Sequence, residues 1–219
     1  KAARLAGVMP DRVRQVATDD ALRLDVAALR AAVARDRASG YKPFCVVSSA
    51  GTTNTGAVDP LAAVGALCRA EGLWHHVDGA YGGFFHLCDE LRPVLEGLSD
   101  ADSITLDPHK GMFLPYGTGA LLVRDGARLR AAHASSAGYL PPPAGPDAYD
   151  VSQHSPDLSR GFAGLRVWLA VKLLGSERFR AALCEKVALA QEAARRLAAT
   201  PGFVVDYPPT LSLFAFHLT

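Results

Sequence analysis

Short apolar runs alternate with helical patterns along this chain. Residues 44–49, 73–77 and 103–106 are apolar or β-branched runs with the length of strands, and the last two have the flanks of buried parallel strands. Between the first two runs, Asp59-Pro60 precedes a helical pattern that ends at Glu71-Gly72, with Pro in the first turn and Gly at the exit. This order predicts a right-handed βαβ crossover.

The same patterns predict elements on either side of this unit. Alternation over residues 12–18 predicts a strand, and Asp25 is placed to cap a helix that ends near Ser39-Gly40. Further along, the patterns predict a strand at 120–123, helices at 165–174 and 176–199, and strands at 203–207 and 211–217.

The length and amino-acid composition of the chain limit the classes of function that it can have. The 219 residues suffice for one large domain, or for one domain and part of another. With 22 acidic against 23 basic residues, nothing favours binding to nucleic acid or an anionic membrane, so a small molecule is the expected partner. No apolar run approaches the ~20 residues of a membrane span. Four scattered cysteines without a C-x-x-C pair indicate reduced thiols in a cytoplasmic protein.

The histidines do not form a metal-binding pattern. His75 and His76 are adjacent on a predicted strand and therefore point to opposite faces, and no Cys or carboxylate spacing completes a site with His86 or His109. We expect no metal.

Charged residues follow two of the predicted strands. Asp78 ends the run at 73–77, and Lys110 lies just beyond the run at 103–106. Ligands of parallel sheets bind at the carboxyl ends of the strands. A lysine amine that forms a Schiff base, and a carboxylate that keeps a pyridine nitrogen protonated, are what a pyridine aldehyde cofactor requires. The alternative is an Asp that caps a helix and a Lys that is solvated.

Two sequence blocks at this position resemble a known family. His76-Val77-Asp78-Gly79-Ala80-Tyr81 and Asp107-Pro108-His109-Lys110 are similar to the signatures of the group II pyridoxal-phosphate-dependent amino-acid decarboxylases, which include aromatic-L-amino-acid and glutamate decarboxylases. The resemblance implies an α/β fold of fold type I, a mostly parallel sheet with helices on both faces. It also implies a large domain over residues 1–160, and connecting helices and the start of a small α+β C-terminal domain over residues 161–219.

The resemblance also implies roles for individual residues. Lys110 would hold pyridoxal 5'-phosphate as a Schiff base, and Asp78 would bind the ring nitrogen. Ala80 would pack against the ring, although it also serves as a spacer beside Tyr81. Thr53, in the Gly-Thr-Thr block after the run at 44–49, would contact the cofactor, unless this block is an ordinary polar turn. His109 would orient cofactor or substrate groups.

A proline-rich loop over residues 135–156 carries Tyr139. By resemblance, Tyr139 would donate a proton to the substrate carbon after decarboxylation, acting across a homodimer in the active site of the other subunit. Aldehyde-forming relatives carry Phe there, so the Tyr favours simple decarboxylation. The alternative is an exposed Tyr that anchors a loop. Arg160, after the loop, would help to hold the substrate or the domain interface, or would lie on the surface at the start of a helix.

These observations imply an enzyme that decarboxylates an L-amino acid, with aromatic substrates favoured and acidic ones next. A non-catalytic homologue that acts as a binding partner, transamination, and amine oxidation to an aldehyde remain as alternatives. The first residue is Lys1 rather than Met, so we expect a fragment of a longer protein. By resemblance, the cofactor-phosphate loop and the histidine that stacks on the ring lie upstream of it. The family often has Trp after the lysine, but here Gly111 follows, which loosens any assignment to a subfamily.

Overall fold

A four-stranded sheet forms the centre of the protein. The computed structural model describes residues 2–135 and 149–219. The strands lie in the order β1-β2-β3-β4, where β1, β2 and β3 are parallel and β4 is antiparallel to β3. The strands of this sheet are β1 Cys45–Ser49, β2 Trp74–Asp78, β3 Ser103–Leu106 and β4 Ala120–Val123. The mixed α/β fold with a mostly parallel sheet is therefore confirmed.

Seven α-helices and a two-stranded sheet complete the described chain. The helices are α1 Ala2–Leu5, α2 Val26–Ala38, α3 Leu61–Glu71, α4 Pro108–Gly111, α5 Gly126–His133, α6 Gly164–Leu174 and α7 Ser176–Ala198. The small sheet pairs β5 Phe203–Val204 with β6 His217–Leu218, and short 3-10 helices occupy Pro10–Arg12, Gly83–Leu87, Asp89–Leu91, Leu98–Asp100 and Val151–His154. Within the described residues, no helix is both long and apolar enough to span a membrane.

The predicted crossover is the segment β1-α3-β2. α3 ends at Gly72, which has the left-handed conformation (φ 64°, ψ 34°) that glycine adopts without strain. At the other end, the Asp59 carboxylate accepts hydrogen bonds from the backbone amides of Leu24 and Ser49, both at 2.7 Å. Asp59 therefore fastens the end of β1 to the segment before α2 instead of capping α3.

The core consists of two apolar clusters. One joins α2 and α3 to the sheet through Leu29, Val33, Val46, Val64, Leu67, Cys68 and Leu73. The other includes Val77, Phe85 and Leu91 together with Leu183 and Val187 of α7, and Phe84 and Leu87 pack against it. The domain division at residue 160 stays a prediction.

Three predicted strands differ from the structure. Residues 13–18 form no strand, because the alternating segment has no neighbouring strand and makes only one isolated bridge, between Thr18 and Leu24. Near the C-terminus, pairing is confined to two residues in each of β5 and β6. Leu211, predicted to begin a strand, is instead fully buried in the second core cluster.

His75 is buried on the packed face of β2. Its side chain is inside the core, and a 2.7 Å hydrogen bond joins its Nε2 to Ser48 Oγ. Among the described residues, its Nδ1 is a buried polar atom without a hydrogen-bond partner. Burial, as the largest cause, lowers the pKa of His75 below its ordinary value of 6.5. The fold therefore holds this imidazole in its neutral form.

We expect the protein to lose stability as the pH falls below about 6.5, because the unfolded chain binds a proton at His75 that the folded chain resists. The contribution is fully present above pH 6.5 and is lost progressively as the pH falls from about 6.5 through the folded pKa, with a total loss of about 1.4 kcal/mol for each unit by which the pKa is lowered. Urea unfolding at pH 7.5 and 5.5 measures the loss. His75→Leu should reduce the dependence on pH, and an equal dependence in both proteins would contradict the assignment. Burial also lowers the pKa of His76, so part of the dependence should remain.

Candidate active site at the carboxyl ends of the strands

Backbone hydrogen bonds beyond the strand ends bring three loops together. The amide of Ala50, just after β1, donates to the Asp78 carbonyl at 2.9 Å. The amide of Gly79, just after β2, donates to the Thr105 carbonyl at 3.0 Å, and the amide of Asp107, just after β3, donates to the Ala80 carbonyl at 3.2 Å. The segments that carry the predicted site residues therefore lie side by side at one edge of the sheet.

Lys110 lies in the single turn of α4, directly after β3. Its Nζ is 2.8 Å from Asp107 Oδ2, and the lysine side chain is 46% exposed whereas the aspartate side chain is only 18% exposed. Asp107 thus holds the amine near the sheet edge while leaving part of it open to solvent. No role is predicted for Asp107 from its sequence block, although the i, i+3 spacing of opposite charges indicates such a pair.

His109 lies in the same turn. Its Nδ1 donates to the Thr118 carbonyl at 2.7 Å, since a carbonyl can only accept, and its Nε2 is 3.7 Å from Asp107 Oδ2. The ring packs edge-on against Tyr116, with 4.9 Å between centroids. These contacts fix the histidine beside the Asp107–Lys110 pair.

Asp78 ends β2 with its side chain exposed at the sheet edge. Its Oδ1 accepts a hydrogen bond from the amide of Ala80 at 3.1 Å, and no lysine, arginine or histidine of the described residues forms a salt bridge with it. Ala80 is half-buried next to it. A carboxylate without a cationic partner is open to a positively charged group of a ligand.

Thr53 lies at the tip of the loop that follows β1. Thr52 closes this loop: its amide donates to the Ala57 carbonyl at 2.9 Å, and its Oγ1 accepts from the amide of Ala57 at 3.1 Å. Thr53 is exposed in the turn between them. The bond from Ala50 to Asp78 places the start of this loop beside the end of β2.

The loop after β2 packs tightly against its surroundings. Tyr81 OH accepts a hydrogen bond from the amide of Ser212 at 3.0 Å and is 2.8 Å from Ser212 Oγ, a contact that no local sequence pattern predicts. At Gly82, an added Cβ would lie 2.0 Å from the Ala50 carbonyl oxygen and 2.7 Å from Leu211 Cδ1. Only glycine permits this approach.

The structure thus brings together four of the predicted site residues, namely Asp78, Ala80, His109 and Lys110, and places the loop of Thr53 next to them. Tyr139 lies outside the described residues. Arg160 is exposed, and its guanidinium donates to the carbonyls of Val151 and Asp157 at 3.3 and 3.5 Å. In the part of the chain that the structure describes, no group of three His, Cys, Asp or Glu side chains is arranged to hold a metal ion.

Comparison with known proteins identifies the class to which this fold and this site correspond. The family model described as the pyridoxal-dependent decarboxylase conserved domain matches residues 1–219. The chain therefore belongs to the pyridoxal-dependent decarboxylase family.

Individual relatives agree with the family. The chain is 35% identical to an aromatic-L-amino-acid decarboxylase of Bacillus atrophaeus, over 99% of this chain and 46% of that protein. It is 37% identical to an L-2,4-diaminobutyrate decarboxylase of Rhizobium meliloti (strain 1021), over 99% of this chain and 44% of that protein. The crystal structure of Oryza sativa TDC with PLP and tryptamine superposes with a TM-score of 0.94 at 31% identity, covering 100% of this chain and 45% of that one. The chain thus spans less than half the length of these relatives.

The residues at the sheet edge fit pyridoxal phosphate chemically. Lys110 offers an amine for the aldehyde, and Asp78 offers a carboxylate without a described cationic partner for the pyridine nitrogen. The two residues follow adjacent parallel strands, β3 and β2. An amine for the aldehyde and a carboxylate for the ring nitrogen are therefore both present at one edge of the sheet.

Gly82→Ala should destabilise the protein by about 3 kcal/mol, because the new methyl group would overlap the Ala50 carbonyl. The backbone of Gly82 (φ −89°, ψ −14°) suits alanine, so only the lack of space opposes the change. Gly126→Ala is the matched control, since an added Cβ there meets nothing within 4 Å. Chemical unfolding compares the variants, and an equal stability of both would show that the loop has room to move.

Proposed function

We propose that the full-length protein containing this chain is a pyridoxal-phosphate-dependent carboxy-lyase that converts an L-amino acid to the amine and carbon dioxide. One observation carries the proposal. The Asp78 carboxylate, which has no described cationic partner, and the Lys110 amine follow two adjacent parallel strands of the sheet. Bound pyridoxal phosphate supplies an electron sink that accepts the electron pair left when carbon dioxide departs.

Lys110 is proposed to hold the cofactor aldehyde. The contact between its Nζ and Asp107 Oδ2 supports this role, because the carboxylate keeps the amine at the sheet edge before the cofactor arrives. The same carboxylate would accept a hydrogen bond from the Lys110 amine whenever that amine is free. Asp107 thus limits the movement of the partly exposed side chain.

Asp78 is proposed to bind the protonated pyridine nitrogen. A negative charge at that position would stabilise the protonated form of the ring nitrogen, on which the electron-accepting capacity of the cofactor depends. The backbone amide of Ala80, which donates to Asp78 Oδ1, orients the carboxylate. Ala80 itself is proposed to pack against the ring, where a small side chain leaves room for a planar group.

Three further residues are proposed to complete the site. Thr53 would contact the cofactor from the loop after β1, and its exposure in the turn leaves it accessible. His109 would orient cofactor or substrate groups, and its contacts with Thr118 and Asp107 support a fixed position. Tyr139 would supply the proton to the substrate carbon from the neighbouring subunit of a homodimer, a proposal that rests on the sequence resemblance.

Aromatic L-amino acids are the proposed substrates. Two of the similar proteins support this choice by name, an aromatic-L-amino-acid decarboxylase and a TDC with bound tryptamine. A diaminobutyrate decarboxylase of similar identity makes a basic amino acid the main alternative substrate.

The cytoplasm is the proposed location of the protein, in keeping with four free cysteines.

Carbon dioxide release from the twenty L-amino acids by the full-length protein tests the proposed function. We expect release from one or more aromatic amino acids, together with formation of the corresponding amine. An aldehyde product would indicate amine oxidation, and a keto acid would indicate transamination. No turnover and no cofactor absorbance would favour a non-catalytic binding partner.

Lys110→Ala should abolish the visible absorbance of bound cofactor and nearly all turnover, because the described strand ends offer no other lysine amine. Lys186→Ala is the matched control, since the two lysine side chains are 46% and 47% exposed and each lies near a carboxylate. Borohydride reduction followed by peptide mapping locates the modified residue. Labelling of another lysine in wild-type protein would refute the assignment.

Asp78→Asn should leave the fold intact and raise the barrier to turnover by roughly 3 kcal/mol, about a hundredfold in kcat, by analogy with the loss of a single electrostatic contact in other active sites. The variant removes the negative charge beside the pyridine nitrogen without changing the shape of the side chain. Asp125→Asn is the control, because Asp125 caps α5 and asparagine caps a helix equally well. A kcat within tenfold of wild type would exclude the proposed role of Asp78.

A further inference from the structure

His76, in the sequence block that contains Asp78, has no part in the function described above. β2 alternates His75 and Val77 on its packed face with Trp74, His76 and Asp78 on the other face. The register of β2 and β3 places Ser103 opposite His76, and Thr105 opposite Asp78. His76 therefore lies one step below Asp78 on the same face of the sheet.

Three side-chain hydrogen bonds form a chain that includes His76. Trp74 Nε1 donates to Ser103 Oγ at 2.8 Å, Ser103 Oγ is 2.8 Å from His76 Nδ1, and His76 Nε2 is 3.2 Å from Thr105 Oγ1. We call Trp74, Ser103, His76 and Thr105 the β2–β3 network. It runs from the amino end of β2 to the residue opposite Asp78.

The direction of these bonds follows from the donors available. An indole N–H can only donate, so Ser103 Oγ accepts from Trp74. Ser103 is buried, and its Oγ contacts only Trp74 and His76 among the described side chains, so its own proton is satisfied by donation to His76 Nδ1. His76 Nδ1 is then an acceptor, and the ring proton of the neutral imidazole lies on Nε2, where it points to Thr105 Oγ1.

The surroundings of His76 favour the neutral ring. Burial, as the largest cause, lowers the pKa of His76, and the only opposing influence is the charge of Asp78. The groups that face the ring from β3 are the hydroxyls of Ser103 and Thr105, which carry no charge. The charge of Asp78 therefore acts on His76. The neutral ring of His76, however, offers no positive charge that could pair with the Asp78 carboxylate.

We propose that His76 is a positioning residue for Asp78: held as the neutral Nε2–H tautomer by the β2–β3 network, it keeps a competing positive charge away from the carboxylate. Asp78 is left with one described donor, the amide of Ala80, and its charge remains available to a cationic ring nitrogen. A cation at position 76 would occupy the carboxylate instead. This inference rests on the proposed role of Asp78 in binding the cofactor.

The tautomer can be measured without activity. In the full-length protein labelled with ¹⁵N-histidine, and with the His76 signal assigned by its loss in His76→Gln, we expect the ring nitrogen shifts of an Nε2–H neutral imidazole at pH 7.5. Trp74→Phe removes the donor at the start of the network and should increase the Nδ1–H form, because Ser103 can then accept from the ring. Trp168→Phe, at an exposed position, is the matched control. An imidazolium or an Nδ1–H ring in wild type would overturn the proposal.

Cofactor affinity tests the consequence for Asp78. Titration of the full-length apoprotein with pyridoxal phosphate should give a Kd for His76→Gln within about threefold of wild type, since glutamine is neutral and can bond to both hydroxyls. His76→Leu, which is also neutral, should likewise leave the Kd within about threefold of wild type. His76→Arg should weaken binding by about tenfold or more, because its charge competes for Asp78.

A double-mutant cycle separates this role from a purely structural one. In an Asp78→Asn background, His76→Arg and His76→Gln should have the same Kd, because the arginine no longer has a carboxylate to occupy. A difference that persists in that background, or a wild-type Kd for His76→Arg, would overturn the proposal. If wild type itself binds no cofactor, the proposed function fails, whereas the tautomer measurement still decides the state of His76.

Discussion

Backbone pairing that continues past the strand ends is the constraint on which the site depends. The three amides that donate across the edge of the sheet belong to Ala50, Gly79 and Asp107, one from each loop. Because these bonds use main-chain atoms, they depend little on which side chains the loops carry, except at Gly82, where only glycine fits beside Ala50. Chemistry can thus vary at Thr53, Ala80 or His109 while the edge itself is preserved.

Local patterns were sufficient to predict most of the regular elements. The predictions of strands at 103–106 and 120–123 agree with β3 and β4, and Gly72 ends α3 as the sequence indicated. The segment at residues 13–18 shows the limit of this approach. Alternation tells which side chains would share a face of a strand, but a strand also needs a partner for its backbone, and that partner is not encoded nearby.

For the same reason, only part of the candidate site could be predicted from the sequence. Asp78 and Lys110 could be assigned because each follows a recognisable strand, and topology then brings their ends together. The contact of Lys110 with Asp107 was readable from spacing, but the bonds of His76 to Ser103 and Thr105 depend on the register between β2 and β3, which no single segment specifies. The contact of Tyr81 with Ser212 depends on packing over a still longer range.

The contact between Tyr81 and Ser212 affects how the chain folds during its synthesis. Tyr81 and Ser212 are separated by 131 residues, yet the hydrogen bonds between them fasten the loop that begins beside Asp78. A ribosome adds roughly 5–20 residues each second, so this loop waits on the order of ten seconds after its own synthesis before its partner exists. During that interval Tyr81 lacks its final partner, and a nascent chain that stops short of Ser212 leaves the loop unfastened.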